Sequence, residues 1–153
     1  MNKNSESKVS KELRDRLNEK DRVAFISAVD TNSIPALTII PFFIAKDEES
    51  LLFAVHRDDS TYKNLVKNKK IVFGVFDSGN FCCRITGRAG VVKAPSDTHP
   101  LMNIVRLDVI SIEKEPSPFM DVVDGIKIKY VDQKASRFAV AMLGELKKVA
   151  AQL

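Results

Sequence analysis

The chain has few of the residues that would give it a covalent or metal framework. Of its 153 residues only two are cysteine and two are histidine. Cys82 and Cys83 are adjacent. Neighbouring side chains on a strand point to opposite faces, so an intrachain bridge between the two thiols is not expected. With no CxxC spacing, and with only His56 and His99 as imidazoles, no metal-site pattern exists. The apolar runs are no longer than strands, so no membrane span is expected. The polar start MNKNSESKVSKEL has no apolar core of a secretion signal. Blocks of one charge sign are missing too. The net charge of +4 permits an anionic ligand, but nothing resembles a nucleic-acid-binding arm. A reduced, cytoplasmic protein without membrane or nucleic-acid partners is the expectation.

What is present suits one globular domain over residues 1–153: 44% hydrophobic and 29% charged residues, and a length that can bury a core unaided. The first residues, Asn2 to Lys8, read as frayed. Val9, Leu13 and Leu17 recur every four positions and predict an amphipathic helix over 8–19. Short apolar segments then follow at regular intervals: VAFISAVD from Val23, ALTIIPFFIAKD from Ala36 and LLFAVH from Leu51. IVFGVFD from Ile71, FCCRITGRAGVVKA from Phe81 and NIVRLDVISIEKEP from Asn103 complete the series. Turn-forming clusters separate them, including TNSIP, DEES and DSGN. Pro41 removes one ladder donor from the second segment and belongs at a bulge or edge. Gly87 and Gly90 mark a bend or a close backbone approach. EPSPF breaks the last strand, and Asp121 to Tyr130 read as partly extended. A closing helix over Gln133 to Gln152 carries Phe138, Met142, Leu146 and Val149 at helical spacing, a packing stripe. Tight turns without βαβ crossovers predict a mainly β chain with flanking helices: an antiparallel six-stranded barrel over about 22–116. A C-terminal extension runs over 117–153.

The organising stretch is HRDDSTYKNLVKNKKIVFGVFD, His56 to Asp77. A strand ends, a short cationic helix follows, and another strand begins. Asp58, Asp59, Ser60 and Thr61 all suit a helix N-cap, because short side-chain oxygens accept from unpaired amides. Ser60, Thr61 and Lys63 at the helix start form a candidate phosphate cradle of amides, hydroxyls and an ammonium. A self-capped, solvated helix end is the alternative.

The order and spacing of ELRDRL, VAFISAVD, IPALTIIPFF, LLFAV, STYKNLVKN, IVFGVFD and CRITGRAGVV resemble the flavin-binding split-barrel family that includes pyridoxamine 5′-phosphate oxidase. The resemblance covers about Glu12 to Pro116 and implies a split β-barrel holding FMN between the subunits of a homodimer. It implies that a Ser/Thr-x-Lys helix start, here Thr61 and Lys63 with Ser60 ahead, grips the FMN phosphate. Tyr62 stands where the family often has arginine. Thr38, Ile39 and Ile40 are implied to contact the cofactor through backbone, and Val55 and His56 to lie beneath its ribityl chain and ring. Cys82 aligns with a glutamine that touches the flavin in the oxidase. Thr38 and Phe43 replace two cationic flavin ligands of that enzyme. The tail Asp121 to Leu153 has no match to its substrate residues. The implied activity is therefore an FMN-dependent oxidoreductase acting on a small molecule other than pyridoxamine phosphate. A flavin or electron-transfer module without its own substrate, or the same barrel holding haem or a deazaflavin, are the rival readings. Cys82 and Cys83 also read as small hydrophobes, and Arg84 and Arg88 as a solvated strand face.

Overall fold

The computed structural model describes residues 5–114 and 117–153, so Asn2 to Asn4 and part of the EPSPF break lie outside the described residues. Along the described chain, β1 (Ser5–Glu6) and α1 (Lys11–Leu17) precede β2 (Ala24–Val29), β3 (Pro35–Ile40), β4 (Phe43–Ala45) and β5 (Ser50–His56). Then come α2 (Ser60–Lys67), β6 (Lys70–Asp77), β7 (Phe81–Lys93), β8 (Met102–Glu113) and α3 (Gln133–Gln152). The strands form one antiparallel sheet in the order β3-β2-β6-β7-β8-β5-β4, with β1 paired to β8.

The two strands at the ends of that order, β3 and β4, are consecutive in the chain. Pro41 and Phe42 are all that separates them, so the sheet curls until its two edges meet at this corner. The single strand expected, with Pro41 at a bulge or edge, is thus two strands with different neighbours, each at an end of the sheet order, and Pro41 lies between them. Proline fits the corner because its missing amide forfeits no ladder bond there. Among the described residues eight strands replace the six expected. The additions are β4 and β1, and Ser5–Glu6, read as frayed, pairs with Glu113 and Ile112.

α1 is shorter than the 8–19 expected. Ser10 caps it by accepting from the Leu13 amide at 3.1 Å, and Leu13 and Leu17 are buried in the barrel core with Val9. Asn18 fastens its end to β4 by bonding both the carbonyl and the amide of Ala45. Inside the barrel, Phe43 and Phe73 meet edge-on at 5.1 Å between centroids, and Phe53 and Ile85 are fully buried. Burying each such side chain contributes roughly 1.5–3 kcal/mol.

β5 is buried on both faces, which explains its unbroken apolar run. Leu51, Phe53 and Val55 face the barrel interior, while Leu52 and Ala54 face α3. Met142, Leu146 and Val149 of α3 pack there beside Phe42 and Ile104, the packing stripe anticipated for this helix. Gly87 is a close approach, since a Cβ would meet the Asp108 carbonyl at 2.4 Å, and the β7–β8 register shifts beside it. Gly90 has open space around it. Residues 121–130 form no strand. They are held to the β6–β7 turn, where Asn80 and Val122 exchange two hydrogen bonds and Lys127 reaches Asp77.

Candidate functional site

The start of α2 is built by one carboxylate. Asp59 is the N-cap, in extended backbone, and its Oδ1 accepts from the Thr61 amide at 2.8 Å and the Tyr62 amide at 3.2 Å. Its own carbonyl accepts from Lys63. A cap of this kind contributes about 1 kcal/mol to the helix. A second anchor comes from β3. The Thr38 hydroxyl lies 2.9 Å from both Asp59 oxygens and 2.8 Å from the Thr61 hydroxyl. A carboxylate only accepts, so Thr38 donates to Asp59 and Thr61 donates to Thr38. Thr61 is fully buried by this relay. The first turn of α2 is therefore tied to the edge strand of the sheet before any ligand is considered.

The residues singled out from sequence divide by direction. Thr38, Ser60, Thr61 and Lys63 come together, but Thr61 turns inward while Ser60 and Lys63 stay exposed. Among the described residues Lys63 has no ion-pair partner. His56 is exposed at the end of β5, and its Nδ1 accepts from the Asp58 amide at 3.1 Å. In the neutral ring that leaves Nε2 as the outward donor. Ile40 and Val55 are buried in the barrel core, so only their backbone could meet a ligand. Ile39 points to the opposite face of β3 and is half exposed. Because β3 ends the sheet, one row of its backbone groups is open.

Cys82 is not brought to this cluster. It pairs with Phe76 at the other end of β7 and lines a 230 Å³ hollow with Ser10, Arg16 and Lys114. Tyr62 also points elsewhere. Its phenol oxygen accepts from Asn103 Nδ2 at 2.8 Å and its ring packs against the core, so it does not substitute for an outward arginine. Arg84 is paired with Glu113 on the strand face.

Two features had no forecast. The first is the role of Asp59, whose sequence signal was shared with Asp58, Ser60 and Thr61. The second is a polar cleft of about 690 Å³ at the β6–β7 turn, lined by Arg16, Arg22, Asp77 and Lys127 among others. Arg22 is buried there, with its guanidinium 4.6 Å above the Phe81 ring and bonded to Asp77 at 3.0 Å. Burial raises the Asp77 pKa, but the Ser78 amide, Lys127 and Arg22 outweigh it and hold the carboxyl below its ordinary value. Glu19, Arg22, Asp77 and Lys127 pair with one another there, while Arg16 lies over the Phe81 ring and Arg22 Nε has no partner among the described residues.

The helix start tests a phosphate ligand directly. The exposed Lys63 ammonium and Ser60 hydroxyl have no partner among the described residues, which fits. The amides of Thr61 and Tyr62, which a phosphate would take from a bare helix end, are already spent on Asp59. A phosphate therefore fits on the outer side of the turn, against Ser60 and Lys63.

Comparison with known proteins follows the same lines. The sequence profile of the family described as pyridoxamine 5′-phosphate oxidase matches residues 9–138. No curated protein matches the sequence. Among solved structures, HupZ from Group A Streptococcus superposes with a TM-score of 0.61 at 16% identity, covering 79% of this chain and 99% of its own. An FMN-binding protein from Syntrophomonas wolfei gives 0.55 at 18% identity, covering 67% and 81%. An F420 reductase gives 0.55 at 16% identity, covering 66% and 96%. At these identities the structural likenesses establish the fold.

Proposed function

The chain belongs to the pyridoxamine 5′-phosphate oxidase family, and from that premise we propose that it is an FMN-binding flavoprotein and an oxidoreductase for a small organic substrate. The observation that carries the reading is the first turn of α2. Thr38, Asp59 and Thr61 fix its orientation, and Lys63 is exposed and pairs with no carboxylate among the described residues. Flavin, when bound, supplies the redox chemistry, and the barrel's share is to place it and control what reaches it.

Each residue then has a limited part. Lys63 and Ser60 hold the phosphate from the outer side. The open backbone row of β3 at Thr38, Ile39 and Ile40, and the end of β5 at Val55 and His56, flank the remainder of the ligand. His56 Nε2 is the one ring donor among them. Cys82 joins the site only if a second copy brings it there.

A second copy is part of the proposal. The outer sheet face carries Leu37 at 69% and Ile39 at 51% exposure. Beside them the stacked pair Phe25–Phe76 has its rings 5.5 Å apart. Phe25 lies so close over Gly74 that a Cβ there would meet its ring at 2.8 Å. This apolar face continues from β3, the strand that borders the α2 turn, and suits a homodimer with FMN at its edge.

The test is an FMN titration of wild type and Lys63→Ala, followed by flavin fluorescence. Removing a charge-assisted contact of ~1.5–3 kcal/mol weakens binding by about one to two decades. Equal affinity of the two proteins would remove Lys63 from the phosphate site.

A further inference from the structure

We propose that Asp59 determines how this site treats the cofactor's phosphate. Its carboxylate is a resident anion that occupies the helix amides, lowers affinity for phosphate-bearing flavins, and leaves phosphate-free flavin unaffected. The inference rests on the flavin reading above and adds a specificity-determining residue to it.

The argument begins with hydrogen-bond capacity. A phosphate at a helix start gains from unpaired amides and from the positive end of the helix. Here Asp59 takes the Thr61 and Tyr62 amides, the donors that would do most for a phosphate. Its negative charge also sits at the positive end of α2 and offsets it. Nor can the carboxylate swing aside cheaply. Thr38, from a different element, donates to it at 2.9 Å, and the buried Thr61 hydroxyl closes the relay behind it. Releasing Asp59 would leave the Thr38 and Thr61 hydroxyls short of a partner in a half-buried place.

The phosphate is thus confined to the Ser60 and Lys63 side, with a fixed like charge at the same helix end. At an exposed helix end, where the dielectric approaches that of water, removing that charge favours a dianion by roughly ten- to a hundredfold. Riboflavin carries no phosphate and does not sense the change. Asparagine and serine cap helices about as well as aspartate, so Asp59→Asn and Asp59→Ser keep the turn while deleting the charge. Thr38→Val is the complementary variant, since it keeps the charge and only frees the carboxylate to swing off the amides.

The experiment measures dissociation constants for FMN and riboflavin on wild type, Asp59→Asn, Asp59→Ser and Thr38→Val. The quantity read is the riboflavin-to-FMN ratio. It is expected to rise about ten- to a hundredfold in both Asp59 variants, and by less in Thr38→Val, which keeps the charge. A ratio that stays level or falls in the Asp59 variants, while FMN still binds wild type, overturns the role of Asp59 and leaves the flavin reading intact. If none of the four proteins binds either flavin, the flavin reading fails and the inference with it.

Discussion

Glu145 provides a quantitative test of how the C-terminal helix is held to the barrel. Its carboxylate, only 5% exposed, accepts from the Asp97 and Thr98 amides at 2.8 Å each, from the Thr98 hydroxyl at 2.6 Å, and from Lys93 at 3.0 Å. Burial alone would raise its pKa. The Thr98 hydroxyl, the Asp97 amide, Lys93 and the Thr98 amide outweigh burial and bring it from 4.5 to about 2. A folded pKa below the unfolded one means stability that is fully present above pH 4.5 and lost as the pH falls towards 2. Over that interval the linkage amounts to at most about 3 kcal/mol. Glu145→Gln keeps the shape, but it deletes the charge and turns an NH₂ toward one of the loop amides. Its expected cost at pH 7 is therefore about 2–3 kcal/mol, the range for a lost set of charged hydrogen bonds. At pH 3 the wild-type group has already surrendered more than half of its linkage, so the gap between the two proteins should shrink to about 1 kcal/mol. Urea denaturation at both pH values measures it. A gap below about 0.5 kcal/mol at pH 7, or one that does not narrow on acidification, would refute the clamp.

Other consequences follow from the same coordinates. Replacing Leu37 and Ile39 together by lysine puts two charges on an exposed apolar face without touching the core, so the fold should survive while any dimer separates. Light scattering after size exclusion should show the mass halve relative to wild type, and an unchanged dimer would place the interface elsewhere. Burial pushes the Cys83 thiol up to about 12. In native protein at pH 8 a thiol reagent should therefore modify no more than the partly exposed Cys82, with Cys83 reacting only on unfolding. Rapid modification of both would mean that the β6–β7 end opens in solution.

The architecture was legible where residue type and spacing carry it. Strand segments rich in β-branched and aromatic residues, and the stripe of Met142, Leu146 and Val149, all sit where periodicity puts them. Glu145 was not singled out, although its spacing could have drawn notice. It lies three residues from Met142 and four from Val149, on the face that packs inward. The corner at Pro41 was harder to see. The proline marks an interruption, but only the closing of the sheet shows that β3 and β4 pair at opposite ends of its order. β1 is two exposed polar residues, and its pairing comes from β8 having an edge to offer. At the helix start, Asp58, Asp59, Ser60 and Thr61 are equivalent as caps in sequence. The choice of Asp59 is fixed by Thr38, 21 positions earlier, through a hydrogen bond between elements. That same contact turns Thr61 inward, which no local pattern encodes. The inward phenol of Tyr62 depends likewise on Asn103 of β8.

The most direct test of the account is the visible spectrum of the purified protein, followed by addition of FMN. The account predicts the absorption bands of oxidised flavin, either as isolated or after titration to one FMN per chain. Colourless protein that takes up no FMN would contradict it, and so would a Soret band in place of the flavin bands.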